Sequence, residues 1–381
     1  MKLGIIGTGR IAQRFMQETK YVDGIEVVSV YNPHKESAER YAEKWGLEAF
    51  YDANASGRQD SGSEAAGKNT TSALGCNDSA KLEGLQDFLK SVDAVYIATP
   101  HGTHTDYIRA ALTHGKHVLC EKPMTLSGKE ASELYELAET NKLVLMEGIK
   151  TAYCPGYKRL MDVAKSGIIG DIAYVESCFT KLESPDSREL TDTVTGGSFT
   201  ELGTYVMLPV LSLFGTEATI NFQSILREDN IDIFTKCNVL YDDGKLATAT
   251  CGLGVKSEGR LVVSGTKGYI LVPAPWWKTS KFEVHFESAA DVRYYEEQFE
   301  GDGLRYELKE FVGQVQLVKE LRLGQEKNGN SSDLNIGLPS TRGNKENFGQ
   351  ESELKTRSYT KDCSIRMASL MEEFLECRGK K

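Results

Sequence analysis

Three short stretches of the chain carry residue types whose spacing suits chemistry. The first is Gly7-Thr8-Gly9-Arg10-Ile11-Ala12, a G-x-G-x-x-A turn. It follows the apolar run Lys2–Ile6 and opens a segment with helical spacing (Ile11, Phe15, Met16), the context that makes the pattern informative. Gly7 permits a tight turn, Gly9 lets the backbone approach a pyrophosphate, and Ala12 lets helix and strand pack closely. Thr8, Arg10 and Ile11 complete the loop, and the helix amino terminus offers N–H donors and a positive dipole end to phosphates. The ligand this spacing predicts is a dinucleotide.

The second stretch follows the β-branched run Ile25–Val30. A carboxylate there would bind both ribose hydroxyls of NAD. The chain instead has Tyr31-Asn32-Pro33-His34-Lys35. Asn32 either hydrogen-bonds the ribose or its phosphate or caps the next helix, with Pro33 at the first helical position. Lys35, His34 or Arg10 could balance a 2′-phosphate. The expected cofactor is NADP or NAD, with NADP favoured.

The third stretch is a pair of strand ends. Thr99-Pro100-His101 closes the continuous apolar run DAVYIAT (93–99), and His104 begins the following helix. Glu121-Lys122-Pro123 closes Lys116–Cys120. Ligands of open α/β sheets bind outside the carboxyl ends of the strands, so Thr99, Pro100, His101, His104, Glu121 and Lys122 are expected to line the cofactor site. An ammonium at Lys122 can orient a substrate hydroxyl and stabilise the alkoxide formed from it. The plainer readings are a surface lysine in a turn and, at His104, a structural imidazole.

The elements that must position these residues are legible as patterns. Strand and helix alternate through the first third, which implies a doubly wound parallel sheet with right-handed crossovers. After a helix at Gly156–Lys165, strand candidates follow one another from Ile172 to Phe286, with a hairpin turn at Asp242-Asp243-Gly244 and one helix, Phe199–Phe214, among them. That succession predicts a large, mainly antiparallel open sheet. A further helix is expected at Leu304–Leu323. The fold class is therefore α/β, with a Rossmann domain over residues 1–150 and an α+β substrate and oligomerisation domain over 151–381. Two polar stretches, Asn54–Ala80 and Gly324–Thr356, have too few apolar residues to offset their ordering entropy and are expected to be flexible inserts.

Composition narrows the classes further. With 45 Lys and Arg against 55 Asp and Glu the net charge is −10, which disfavours nucleic-acid backbones and anionic lipid surfaces. No apolar run approaches the roughly 20 residues of a membrane span. Met1-Lys2 leads straight into the first strand, with no secretory pattern. Eight cysteines include no C-x-x-C pair, so neither a zinc site nor a disulfide framework is expected, and reduced thiols in the cytoplasm are. No metal centre is expected.

Taken together, Gly7–Ala12, Thr99–His104, the run from His117 to Pro123 and Gly167-Ile168-Ile169-Gly170 resemble the glucose-fructose oxidoreductase, inositol dehydrogenase and rhizopine-catabolism family (Gfo/Idh/MocA). The order and spacing match along most of the chain apart from the two inserts. The resemblance implies a Rossmann domain followed by a domain with a large open sheet, and hydride transfer between a nicotinamide and a secondary alcohol or ketone of a sugar, cyclitol or diol. It makes Lys122 the match of a family catalytic lysine. The family's second signature falls on Thr195–Tyr205, with Glu201 at an aspartate position and Tyr205 at a His/Tyr position. Tyr205 resembles the dihydrodiol dehydrogenase branch. It is expected to exchange the hydroxyl proton, Lys122 to orient the same oxygen, and Glu201 to hold a neighbouring group. Being four apart, Glu201 and Tyr205 can share a helix face. Two departures bear on the substrate: Ala152 stands where that branch carries arginine, and Glu201 is one methylene longer than aspartate. Alternative readings are an NAD-dependent glycosidase using transient oxidation, and a non-enzymatic dinucleotide-responsive regulator. A small polyol or sugar partner is expected, and a homo-oligomer formed through the carboxyl-terminal sheet. Trp276-Trp277 is left outside the site as packing.

Overall fold

In the computed structural model, residues 1–52, 83–328 and 359–378 are described. The expectation for Asn54–Ala80 lies outside the described residues, as does that for Gly324–Thr356 beyond its first five positions. The chain forms two compact units.

The first unit holds a six-stranded sheet: β1 (Lys2–Ile6), β2 (Glu26–Tyr31), β3 (Glu48–Phe50), β4 (Ala94–Ile97), β5 (His117–Glu121) and β6 (Leu145–Gly148), in the order β3-β2-β1-β4-β5-β6. Every pairing is parallel. Helices α1 (Arg10–Thr19), α2 (Lys35–Trp45), α3 (Glu83–Ser91), α4 (His104–Thr113) and α5 (Gly128–Thr140) make the connections. β4 and β5 are buried along their whole length, as strands covered on both faces must be. α1 buries Ala12, Phe15 and Met16, and Phe15 stacks on Tyr96 of β4 at 3.6 Å.

The second unit contains α6 (Lys150–Tyr153), α7 (Pro155–Lys165), α8 (Arg188–Thr191) and α9 (Ser198–Phe214). Its strands are β7 (Ile172–Thr180), β8 (Thr219–Leu226), β9 (Asp232–Leu240), β10 (Leu246–Gly252), β11 (Leu261–Gly265), β12 (Gly268–Val272), β13 (Lys281–Phe286) and β14 (Val292–Glu296). They form one sheet in the order β14-β13-β12-β11-β7-β10-β9-β8, in which only β7 and β10 run parallel. Two helices follow in the chain, α10 (Leu304–Asn328) and α11 (Lys361–Arg378). α11 closes one face of the sheet with α9: Phe374 meets Phe199 of α9 at 4.7 Å and Phe222 of β8 at 5.3 Å.

Three details differ from the sequence reading. α10 belongs to the first unit rather than the second, because its buried Leu308, Phe311 and Val315 and its Arg305–Glu18 ion pair (2.7 Å) join it to the sheet-covering layer that holds α1. The Arg305 guanidinium also lies 3.8 Å above the Tyr21 ring. α10 runs to Asn328, five residues into the stretch read as an insert. Finally, α2 begins at Lys35, not Pro33, since Asn32 closes a turn on the His34 N–H instead of capping the helix (2.9 Å).

Candidate active site

In the first unit, register places the candidate residues along one edge. Ile6 of β1 pairs with Ile97 of β4, which pairs with Cys120 of β5. The segments that follow, Gly7–Ala12, Thr99–His101 and Lys122–Pro123, therefore leave three adjacent strands at their carboxyl ends. Strand order reverses between β1 and β4, where doubly wound sheets bind ligands.

The glycine turn fits a pyrophosphate. Gly7 has φ +104°, and a Cβ there would lie 2.4 Å from the Ala98 carbonyl oxygen. A Cβ on Gly9 would point into open space. Gly9 is also the N-cap of α1 and has no side chain to close the helix end, and the first turn holds no acid. The first intrahelical bond is Gln13 N–H to Gly9 (3.1 Å), so the helix opens its amino-terminal end, where an anion is favoured, at this turn. Asn32 Nδ2 donates to Thr8 Oγ1 (2.9 Å), tying the end of β2 to this turn. Lys35 is well exposed, 3.7 Å from Glu39, and sits over the Tyr51 ring. Its pKa is raised, first by Tyr51 and then by Glu39, so it stays cationic.

Behind the edge, a buried layer holds the turns in place. His104 has no exposed surface, and its ring bridges the Pro123 oxygen (Nδ1, 2.9 Å) and the Thr99 oxygen (Nε2, 3.0 Å). It thus joins the turn after β4 to the turn carrying Lys122. Thr103 donates to Thr99 Oγ1 (2.8 Å) and His101 is buried against His104. Glu121 accepts from the Tyr96 hydroxyl at 2.5 Å inside the core, and burial pushes that phenol far above its ordinary pKa. Glu147 Oε1 accepts the Met124 N–H (3.0 Å), a second tether on the Lys122 turn. Lys122 itself is half-buried, and the Lys122–Pro123 peptide is cis.

In the second unit the candidate residues Glu201 and Tyr205 lie on α9. From Ser198 to Leu211 every residue is buried except Glu201 and Tyr205. Their four-residue spacing puts them one turn apart on the same face. Arg188 of α8 reaches Glu201 at 3.8 Å. Phe179 stands edge-on to Tyr205 with ring centres 5.4 Å apart, and stacks on Trp277 at 3.6 Å. The tryptophan pair thus divides: Trp276 is fully buried and donates to the Cys178 oxygen (2.8 Å), as packing should, while Trp277 joins the aromatic wall beside Tyr205. The sequence reading missed Phe179, and Trp277 was visible only as an aromatic pair near prolines. Ala152 is buried in α6. Among the described residues no cluster of His, Cys, Asp or Glu would hold a metal ion, and no helix is long and apolar enough to cross a membrane.

A glycine turn at the switch point of a doubly wound sheet, joined in sequence to a large open-sheet unit, defines a dinucleotide-binding protein. Residues 1–149 match the profile described as oxidoreductase family, NAD-binding Rossmann fold, and residues 157–271 match the GFO/IDH/MocA C-terminal domain. The chain belongs to the GFO/IDH/MocA family and is an NAD(P)-dependent oxidoreductase. It is 24% identical over 345 residues to the NADP(+)-dependent scyllo-inositol 2-dehydrogenase of Bacillus subtilis, covering 86% of this chain and 91% of that enzyme. It is 30% identical over 198 residues to trans-1,2-dihydrobenzene-1,2-diol dehydrogenase of Bos taurus, covering 51% of this chain and 59% of that enzyme. Its fold resembles a 3-ketoreductase from Actinomadura kijaniata solved with TDP-benzene and NADP, with a TM-score of 0.68 at 20% identity, over 98% and 96% of the two chains.

Proposed function

We propose that this oxidoreductase moves hydride between nicotinamide and a secondary alcohol or ketone of a sugar, cyclitol or diol. The observation that carries the reading is that Glu201 and Tyr205 are the two accessible positions on an otherwise buried stretch of α9. Bound nicotinamide supplies the hydride chemistry, and the chain positions it and handles the proton. Gly7, Thr8, Gly9, Arg10 and Ile11 hold the pyrophosphate, with Thr99, Pro100 and His101 on the adjoining strand end. Tyr205 exchanges the hydroxyl proton, and Lys122 orients and polarises the same oxygen. Glu201, with Arg188 beside it, binds a neighbouring hydroxyl. Phe179 and Trp277 offer an apolar wall to the C–H face of a ring.

NADP is the favoured cofactor, since Asn32 stands where an NAD-selective site would hold a carboxylate and Lys35, directly after the Asn32–His34 turn, is an exposed cation. The NADP(+) dependence of the Bacillus subtilis relative agrees with it. A second copy of the chain covers the open face of the eight-stranded sheet, where Leu240, Leu246, Tyr269 and Tyr294 are 40–75% exposed. The described cysteines are all free thiols, which suits a reducing cytoplasm.

The test is a panel of polyols, sugars and diols with NADP and NAD, read by nicotinamide absorbance. Turnover of a ring polyol or vicinal diol is expected. Cofactor binding without turnover of any secondary alcohol or its ketone would overturn the substrate class. Sedimentation of Leu240→Glu should show a smaller species than the unaltered chain; unchanged assembly would move the interface elsewhere.

A further inference from the structure

We propose that Arg378 and Asp232 form a buried clamp that sets the position of the amino-terminal end of α9, and through it of Glu201 and Tyr205. The inference rests on the proposed roles of those two residues.

The loop entering α9 is tightly wound. Asp192 accepts from the N–H groups of Val194 (2.9 Å) and Thr195 (3.0 Å) and from Thr195 Oγ1 (2.5 Å). Gly196 N–H returns to the Asp192 oxygen and Gly197 N–H to the Glu189 oxygen. This winding aims three carbonyls inward, and Arg378, the last residue of α11, takes all three. Its Nη1 donates to Gly196 (2.5 Å), and its Nη2 to Thr193 and Val194 (3.2 Å each). Arg378 is 8% exposed. A planar fork with several donors suits this task, and a lysine ammonium does not reproduce it.

Asp232, the first residue of β9, works on the other side of the same turn. It has no exposed surface. Its Oδ2 accepts the Phe199 N–H (2.9 Å) and the Thr235 hydroxyl (2.7 Å), and its Oδ1 lies 3.5 Å from Arg378. The N-cap of α9 is Gly197, which has no side chain to offer the helix end. Asp232 supplies the missing capping carboxylate from a different element, at the positive end of the helix dipole. The fit is close: Gly197 has φ +119°, and a Cβ there would lie 2.0 Å from Asp232 Oδ1 and 3.0 Å from Arg378 Nη1. Ser198 Oγ donates to the Asp232 carbonyl (3.0 Å) and accepts the Leu253 N–H (3.0 Å), fixing the first residue of the helix to β9 and to the residue just past β10.

A buried ion pair is a poor source of net stability, because desolvation opposes the attraction. Here each charged group is spent on backbone groups of one turn, the turn that precedes Glu201. The arrangement serves geometry: displacing reacting groups by about 1 Å can cost roughly a hundredfold in rate. Arg378 and Asp232 are thus positioning residues, and neither touches substrate.

The test compares Arg378→Met, Arg378→Lys, Asp232→Asn, and two shortened chains ending at Arg378 and at Cys377. Amide hydrogen exchange is followed at Phe199, Thr200 and Glu201, and kcat, KM and the NADP dissociation constant are measured. Arg378→Met and the chain ending at Cys377 should exchange these amides at least roughly tenfold faster, as loss of the three charge-assisted bonds predicts. Their kcat should fall roughly tenfold to a hundredfold with NADP affinity unchanged. Arg378→Lys should fall between, and the chain ending at Arg378 should match the full chain. If Arg378→Met does not fold, Arg378→Lys and Asp232→Asn carry the same comparison. Unchanged exchange in the variants, or faster exchange with kcat unaltered, would overturn the clamp. Faster exchange in a protein that turns over no secondary alcohol would leave the clamp standing and overturn the catalytic reading instead.

Discussion

The ring of Phe179 meets that of Tyr205 edge to face at 5.4 Å, and the other side of Phe179 is stacked on Trp277 with the two planes 7° apart. Tyr205 thereby packs against an aromatic wall. Tyr205→Phe keeps this packing and removes only the hydroxyl. It should lower kcat by roughly two to four orders of magnitude, the range of general acid–base groups, with NADP affinity unchanged. Lys122→Ala should act similarly, and the double variant should fall far short of the product of the two losses, as residues working as a unit do. Steady-state kinetics of the three variants decide it. Near-full activity of Tyr205→Phe with inactive Glu201→Gln would transfer the proton to the carboxylate.

Cofactor choice is separable from chemistry. Lys35 is exposed and already shares its charge with Glu39 at 3.7 Å. Lys35→Ala should weaken NADP roughly fivefold, the scale of an exposed charge pair, and leave NAD nearly untouched. Calorimetric titration of both cofactors measures the difference. A clear NAD preference unaffected by the substitution would contradict the NADP reading.

The residues that flank positions 53–82 meet in the first unit. The Asp52 carboxylate takes the backbone N–H groups of Gly84 and Leu85 at the start of α3, as well as the Tyr31 hydroxyl at 2.6 Å. A Cβ on Gly84 would lie 2.1 Å from the Tyr51 oxygen. Replacing residues 54–80 by a short glycine linker should therefore leave folding and NADP affinity nearly intact, since closure entropy changes slowly with loop length. Thermal unfolding and turnover of the shortened chain check this. Loss of soluble protein would assign the segment a structural role.

Acid should destabilise the first unit through His117. Its ring is buried, Nδ1 accepts the Val144 N–H at 3.0 Å, and burial, helped by Arg322 and Lys319, holds its pKa down at about 4. The unfolded chain titrates near 6.5 and so binds the proton first. Stability is then full above about pH 6.5 and declines as the pH falls towards about 4, by about 3 kcal/mol for this group. Denaturant unfolding between about pH 7 and about pH 4.5 should show a steeper loss in the unaltered protein than in His117→Asn. Parallel pH profiles would remove His117 as the cause.

Much of this molecule was legible in sequence because the relevant signals are local. An apolar strand running into G-x-G-x-x-A, a lysine just past Cys120 at a strand end, and strands recurring without helices after Ile172 each depend on neighbours a few residues away. Those patterns determine the two units, the glycine turn and the edge from which Lys122 projects. The four-residue spacing of Glu201 and Tyr205 likewise follows from helix periodicity once α9 is recognised.

The rest was decided by packing between residues distant along the chain. Only the folded first unit commits Asn32 to Thr8 and His34, retires His104 to a fully buried bridge, and draws α10 to α1 through Arg305 and Glu18. Only the folded second unit brings Trp277 to Phe179, and Arg378 and Asp232 to one turn of backbone. A buried arginine at the end of an amphipathic helix reads in sequence as an ordinary solvated charge. Which carbonyls it meets is set by how α11 lies against α9 and β9, and that depends on the whole core of the unit at once.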